Sequence, residues 1–164
     1  MSKFTLTNFG EIDSDRLEEY YDAEITVGGR AIELDISFDE KTIAIDKLKK
    51  INSWLADIQK LDKLGLTTIK EDFVSGDTVR EYIEHHLDEL DSDDLKTLMN
   101  QETGGKTKEE KLLSSIKLKR IGFYPHTQER FVNLDYTLDN DLTDHLVVLD
   151  FTEDGNLHYI TIES

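Results

Sequence analysis

The stretch YDAEITVGGRAIELDISF, residues 21–38, decides the fold. Tyr21, Ala23, Ile25 and Val27 alternate with polar residues, and Ile32, Leu34, Ile36 and Phe38 do the same after the Gly28-Gly29 pair. A period of two with β-branched residues reads as strand. Two adjacent glycines supply the positive φ angles that a type I′ hairpin turn demands at both central positions. A two-residue loop sets Val27 opposite Arg30, Ile25 opposite Ile32, Ala23 opposite Leu34 and Tyr21 opposite Ile36. The apolar residues then share one face, and Asp22, Glu24, Glu33 and Asp35 share the other.

Working outward, Phe4 and Leu6 alternate in a short opening strand. The middle of the chain has helical spacing. Leu48, Ile51, Leu55 and Ile58 recur at three and four and are followed by Leu61 and Leu64, with Gly65 placed as a helix-ending residue. Trp54 lies on the flank of that stripe. A short helical piece covers Thr68 to Val74 and stops at Ser75-Gly76. Thr78 with Glu81 has the spacing of a capping box ahead of the apolar face Val79, Tyr82, Ile83, His86, Leu87 and Leu90. Ser92 suits the cap of a helix carrying Leu95, Leu98 and Met99. The stretch QETGGKTK, 101–108, reads as a mobile loop, and Thr107 with Glu110 starts one more turn.

The last third returns to strands. The alternation of Ile116 to Tyr124 shifts near Arg120, which predicts a bulge. Val132, Leu134, Tyr136 and Leu138 alternate with Asn133, Asp135 and Thr137. A hairpin turning on Asp154-Gly155 pairs Glu153 with Asn156, Phe151 with His158, Leu149 with Ile160 and Val147 with Ile162. The expected architecture is one α+β domain over 1–164, with strands in 1–38, helices in 43–115 and strands in 116–163. Its antiparallel sheet is built from N-terminal and C-terminal strands, with the central block of helices packed on one face. The opposite face is expected to be acidic and wet.

Composition sets the functional bounds. There are 36 Asp and Glu against 19 Lys and Arg, a formal charge of −17. So negative a field opposes nucleic acid and anionic lipid, since each phosphate contact needs a cation, and favours a basic protein partner. The absence of cysteine removes disulfides, thiolate metal sites and cysteine nucleophiles. MSKFTLTNFGEIDSD has no apolar core of signal-peptide length, and no run approaches the roughly 18 apolar residues of a membrane helix. The expectation is a soluble cytoplasmic protein.

From Gly122 the chain reads GFYPHTQERFVNLDYTLDNDLTDHLVVLDFTEDGNLHYITIES, and the helical centre carries GDTVREYIEHHLDEL. The order of Tyr-Pro, Asp-Tyr-Thr, an apolar strand, Asp-Gly and a final Glu-Ser resembles a small bacterial family catalogued only as a domain of unknown function. The resemblance implies a bacterial cytoplasmic protein and brings no catalytic residue and no cofactor.

The residues that invite a chemical reading each have a plainer one. His85 and His86 are adjacent on a helix and point about 100° apart, unlike the three or four spacing of helical metal ligands. His86 falls on the apolar stripe and His85 off it. His126, His145 and His158 all lie in the β third, with His158 sharing the parity of Ile160 and Ile162 at the end of the core. Asp139, Asp141 and Asp144 lack the glycine and the bidentate glutamate of a calcium loop. Gly104-Gly105-Lys106-Thr107 lacks the earlier glycine and the strand of a phosphate loop. Lys106, Lys108, Lys111, Lys117, Lys119 and Arg120 form a local basic cluster suited to internal pairing with the acidic helices.

No catalytic, cofactor or metal residue is assigned. The leading expectation is a non-enzymatic protein-interaction module. The alternatives are an immunity protein neutralising a basic toxin such as a nuclease, and a hydrolase with a carboxylate-based site. The candidate interaction residues are Glu24, Glu33 and Asp35 on the strand face, with Trp54, Phe123 and Tyr124 as aromatic anchors.

Overall fold

The computed structural model describes residues 2–100, 107–138 and 142–164. β1 (Lys3–Leu6) and β2 (Gly10–Asp13) form a separate antiparallel ribbon. The main sheet has six strands in the order β3 (Tyr20–Val27), β4 (Arg30–Ser37), β5 (Lys117–Phe123), β6 (Val132–Thr137), β7 (Leu146–Phe151) and β8 (Leu157–Glu163). Between β4 and β5 run α1 (Ile45–Leu55), α2 (Ile58–Ser75), α3 (Thr78–Glu89), α4 (Ser92–Asn100) and α5 (Lys108–Ser114). The class is α+β, as the order of periodicities implies.

The first hairpin has the expected register, Tyr21 to Ile36 through Val27 to Arg30. Gly28 and Gly29 sit at φ +58° and +80°, so both turn positions use the left-handed region. All sheet neighbours are antiparallel except β4 and β5, which run parallel, with Ile36 beside Phe123. A parallel pair requires a long crossover, and the helical block supplies it. In the last hairpin Leu149 faces Ile160 and Val147 faces Ile162, but Phe151 faces Leu157, because the register slips between Asp150 and Phe151. His158 is therefore exposed rather than an end to the core.

Two helix boundaries differ from expectation. The stripe from Leu48 to Leu64 belongs to two helices, broken at Ala56-Asp57, where the Asp57 carboxylate accepts from the Lys60 amide at 3.1 Å. Nor does Gly65 end a helix. It lies inside α2, which continues through Thr68 to Ser75. A side chain at Gly65 would collide with the Tyr136 hydroxyl and lie 2.7 Å from the ring carbon Cζ. This glycine exists for a close helix-to-sheet approach, over which Tyr136 donates to Asp62 Oδ1 at 2.9 Å.

The caps also differ. Thr78 makes no capping box; the Asp72 carboxylate reaches from α2 to accept from the Val79 amide at 2.8 Å. At α4 the cap is Asp91, accepting from the Asp94 amide, one residue before Ser92. Thr107 does cap α5 through the Glu110 amide, at 3.1 Å. Of the expected 101–108 loop, Lys108 is already helical as the first residue of α5, while 101–106, and Asp139 and Asp141, lie outside the described residues.

The core lies between the sheet and α1–α3. Leu48, Ile51, Leu61, Val79, Tyr82 and Ile83 meet Ile32, Leu34, Ile36, Ile121, Phe123, Val132, Leu134, Tyr136, Val147 and Leu149, all within a percent or so of full burial. Tyr82 donates to the His145 carbonyl and accepts from the Leu138 amide, tying α3 to the β6–β7 connection. Lys47 on α1 pairs with Glu153 at the last hairpin.

Candidate functional site

The face of the sheet turned away from the helices is built by two ladder rows. One reads Asp22, Asp35, Gly122, Asn133, Asp150, Tyr159 across all six strands. The other reads Glu24, Glu33, Arg120, Asp135, Val148, Thr161. Within these two rows stand six carboxylates and one cation, Arg120.

Arg120 reaches this face because of the bulge. Leu118 pairs with Tyr136 on the helix side, while Arg120 pairs with Asp135 on the other, leaving Lys119 as the extra residue. Without the slip the two would point the same way; a bulge re-aims the side chain. Arg120 then clasps Asp35 with two hydrogen bonds, Nε to Oδ2 at 2.5 Å and a terminal nitrogen to Oδ1 at 2.6 Å. The other terminal nitrogen donates to Asn133 Oδ1 at 2.7 Å and to Asp135 Oδ2 at 3.3 Å. Tyr124 accepts from the guanidinium at 3.2 Å. Gly122 makes room: a Cβ there would lie 2.9 Å from both Arg120 Cζ and Asp35 Oδ1.

The network continues sideways. Asn133 donates to Asp150 Oδ1 at 2.5 Å, and Arg130 reaches the same oxygen at 3.4 Å while its guanidinium covers the Tyr124 ring at 4.6 Å. Asp35, Asn133, Asp135 and Asp150 are consequently buried, so the centre of this face is closed by its own side chains rather than wet. Burial pushes the Asp135 carboxyl up, against the opposing pull of Arg120. Burial also works to lower the Arg120 pKa, but the Asp35 and Asp135 carboxylates outweigh it and raise it.

The rim is different. Glu24 and Glu33 face each other across β3 and β4, both exposed, and Asp22 lies exposed beside Asp35. Like charges directly opposite are destabilising. Asp35 is relieved by Arg120, whereas Glu24 and Glu33 make no ion pair among the described residues. Tyr20 and Tyr159, on the two edge strands, are 56% and 57% exposed. Tyr20 shares the parity of Asp22 and Glu24 on β3, and its phenol is pushed up by desolvation first and then by the Asp35 and Asp22 carboxylates.

The anticipated anchors separate. Tyr124 belongs to the network. Phe123 is fully buried, stacked edge-on against Phe131 at 6.5 Å, and is no surface residue. Its parity after the bulge sends it to the helix side. Trp54 is half-buried on α1 against the Gly155 turn, on the other side of the sheet. Sequence reasoning missed Gly122, Tyr20 and Tyr159; for Arg120 the broken alternation gave the bulge, but not the strand carboxylates it clasps.

The histidines fall elsewhere. His86 is buried, its Nδ1 donating to the Tyr82 carbonyl at 2.7 Å and its Nε2 accepting from the Thr143 hydroxyl at 2.8 Å. His145 comes beside His85, ring centres 4.7 Å apart. His126 clamps the turn after β4, accepting from the Asp39 amide and donating to the Thr42 carbonyl. Among the described residues no three His, Asp or Glu side chains converge as metal ligands, and no helix is long and apolar enough to cross a membrane. A cleft of about 770 Å³ beside Tyr20 is lined by no histidine, and its Asp15, Glu18, Glu19, Asp39 and Glu40 are all exposed.

Fold and face together define an α+β domain whose mixed sheet leaves one acidic side without helices. Comparison with known proteins gives no match: no family model, no curated protein and no solved structure.

Proposed function

We propose that this is a protein-interaction module of a bacterial cytoplasm that recognises a basic protein through the helix-free face of its sheet. The observation that carries the reading is the uncompensated rim, Asp22, Glu24 and Glu33 on β3 and β4, beside exposed Tyr20 on the same edge, with Tyr159 exposed on the opposite edge of the face. Aromatic anchors beside desolvatable charge are what interface hot spots consist of. The charge of −17 steers a basic partner and opposes nucleic acid. Neutralisation of a basic toxin is a particular form of the same reading. The hydrolase alternative finds less support, because Asp35 gives both oxygens to Arg120, while Asp135 and Asp150 are held in charged contacts with Arg120, Asn133 and Arg130.

The test uses a ten-residue lysine-rich peptide and amide chemical shifts. Shifts confined to β3, β4 and the Tyr159 region, weakening with salt and lost in the Glu24→Gln/Glu33→Gln variant, support the reading. Shifts scattered over α3 and α4 overturn it.

A further inference from the structure

A cleft of about 320 Å³ lies between α2, the end of α5 and the starts of β4 and β5. It is lined by Asp62, Leu66 and Lys70 from α2, Leu113 from α5, Arg30 from β4 and Lys117 from β5. Asp62, Leu66 and Lys70 are spaced four apart and so form one stripe of their helix. Arg30 pairs with Val27 and shares the parity of Ile32, Leu34 and Ile36, which turns it to the helix side of the sheet, away from the acidic rows.

Two features set this cleft apart from the rest of the molecule. Its lining carries three basic residues and one acidic one, in a chain with 36 acidic residues against 19 basic. Arg30 is also half-buried and, among the described residues, makes no ion pair. Its guanidinium donates once, from Nη1 to the Leu118 carbonyl at 2.9 Å, which fixes the side chain and leaves the rest of its fork to a guest. Lys70, likewise without an ion pair among the described residues, adds a second charge on an exposed and movable stem. The one carboxylate, Asp62, already accepts from the Tyr136 hydroxyl at 2.9 Å. Leu66 and Leu113 are half-buried and supply carbon surface. A guanidinium fork matches a phosphate at two points, and an ammonium serves it as a point charge. Small-molecule sites combine such convergent polar groups with apolar walls, in cavities from about 300 Å³ upward.

We propose that this cleft binds a small organic phosphate, held at the phosphate by Arg30 and Lys70 and covered at its carbon part by Leu66 and Leu113. The charge of −17 repels an anion in proportion to the anion's own charge, so it excludes long polyanions far more strongly than a single phosphate ester. The acidic face lies across the sheet, so recognition of a basic protein there stands or falls independently of this cleft.

The measurement is titration of the isotope-labelled full chain with phenyl phosphate and, separately, with inorganic phosphate, at fixed ionic strength and followed by amide chemical shifts. Saturable shifts at Arg30, Lys70 and Leu113 are expected, with phenyl phosphate binding at least about 5-fold tighter than inorganic phosphate because its ring meets the two leucines. Lys70→Gln should weaken phenyl phosphate by about 10-fold. Lys63→Gln removes the same charge from an exposed position of α2 outside the cleft and should change affinity by less than about 2-fold. Lys70 and Lys63 are both exposed, so the fold is spared, and unchanged shifts elsewhere verify this. Equal losses in the two lysine variants, shifts that do not saturate, or inorganic phosphate binding as tightly as the ester would each overturn the inference.

Discussion

Arg120 holds two buried carboxylates in place, Asp35 and Asp135, whose side chains are only 7% and 11% exposed. Removing one member of such a group strands the others' charge, at about 3–5 kcal/mol. Arg120→Met should therefore destabilise on that scale, and Arg120→Lys should recover little, because an ammonium cannot clasp Asp35 at two points. Without the cation, the folded-state pKa of Asp135, already raised by burial, rises further above its unfolded value. The folded variant then binds protons more readily than its unfolded chain, so it regains stability as pH falls through that raised value. Urea midpoints measured against pH test this; a loss below about 1 kcal/mol with no recovery in acid would refute it. Gly65 is the second case. In an exposed helix interior Gly→Ala adds roughly 1 kcal/mol of stability. Here the methyl group would collide with Tyr136, so Gly65→Ala should destabilise by about 1–3 kcal/mol, the usual overpacking cost. A stabilised variant would mean α2 shifts freely over the sheet.

Among the elements, the β3–β4 hairpin was legible because turn chemistry and period agreed on one register. The β7–β8 hairpin was legible only to Leu149 and Ile160; its bulge has no signature in the residues around Phe151. The parallel contact of β4 with β5 left no trace, since pairing between distant segments is not written in local periodicity. Neither was the acidic network, because Asn133, Asp135 and Asp150 look like ordinary outward residues until Arg120 is turned toward them. His86 was read correctly as an apolar-face residue, but not its role in joining α3 to Thr143. That role makes a pH prediction. Desolvation lowers its pKa, opposed by the Tyr82 carbonyl and reinforced by His85 and His145. Below about pH 6.5 an unfolded histidine takes up a proton that folded His86 refuses. Stability should thus be intact above that pH and fall as pH drops from it through the folded value. His86→Gln should flatten the slope between pH 7.5 and 5.5; an unchanged slope in denaturant titrations would assign it to other groups.

For the whole molecule, the net charge of −17 makes the compact state repel itself. Raising salt from 0.01 M to 0.15 M shortens the Debye length from about 30 Å to about 8 Å and should raise the melting temperature. A melting temperature that falls over this range would mean that attractive pairs such as Arg120–Asp35 dominate the field. The parallel β4–β5 junction also sets the order of assembly. Asp35 and Arg120 are 85 positions apart, whereas β3–β4 and β5 through β8 are local meanders. Hairpins close in microseconds, but a contact across so long a loop waits until its entropy has been met by other structure. Two half-sheets should therefore form early and the seam between them be sealed late. The Arg120 clasp is thus absent from the rate-limiting barrier: Arg120→Met should accelerate unfolding and leave the refolding limb of a chevron nearly unmoved. A slowed refolding limb would show instead that the seam is the nucleus. On the expected outcome, the charged clasp governs how long a folded molecule lasts rather than how fast it appears.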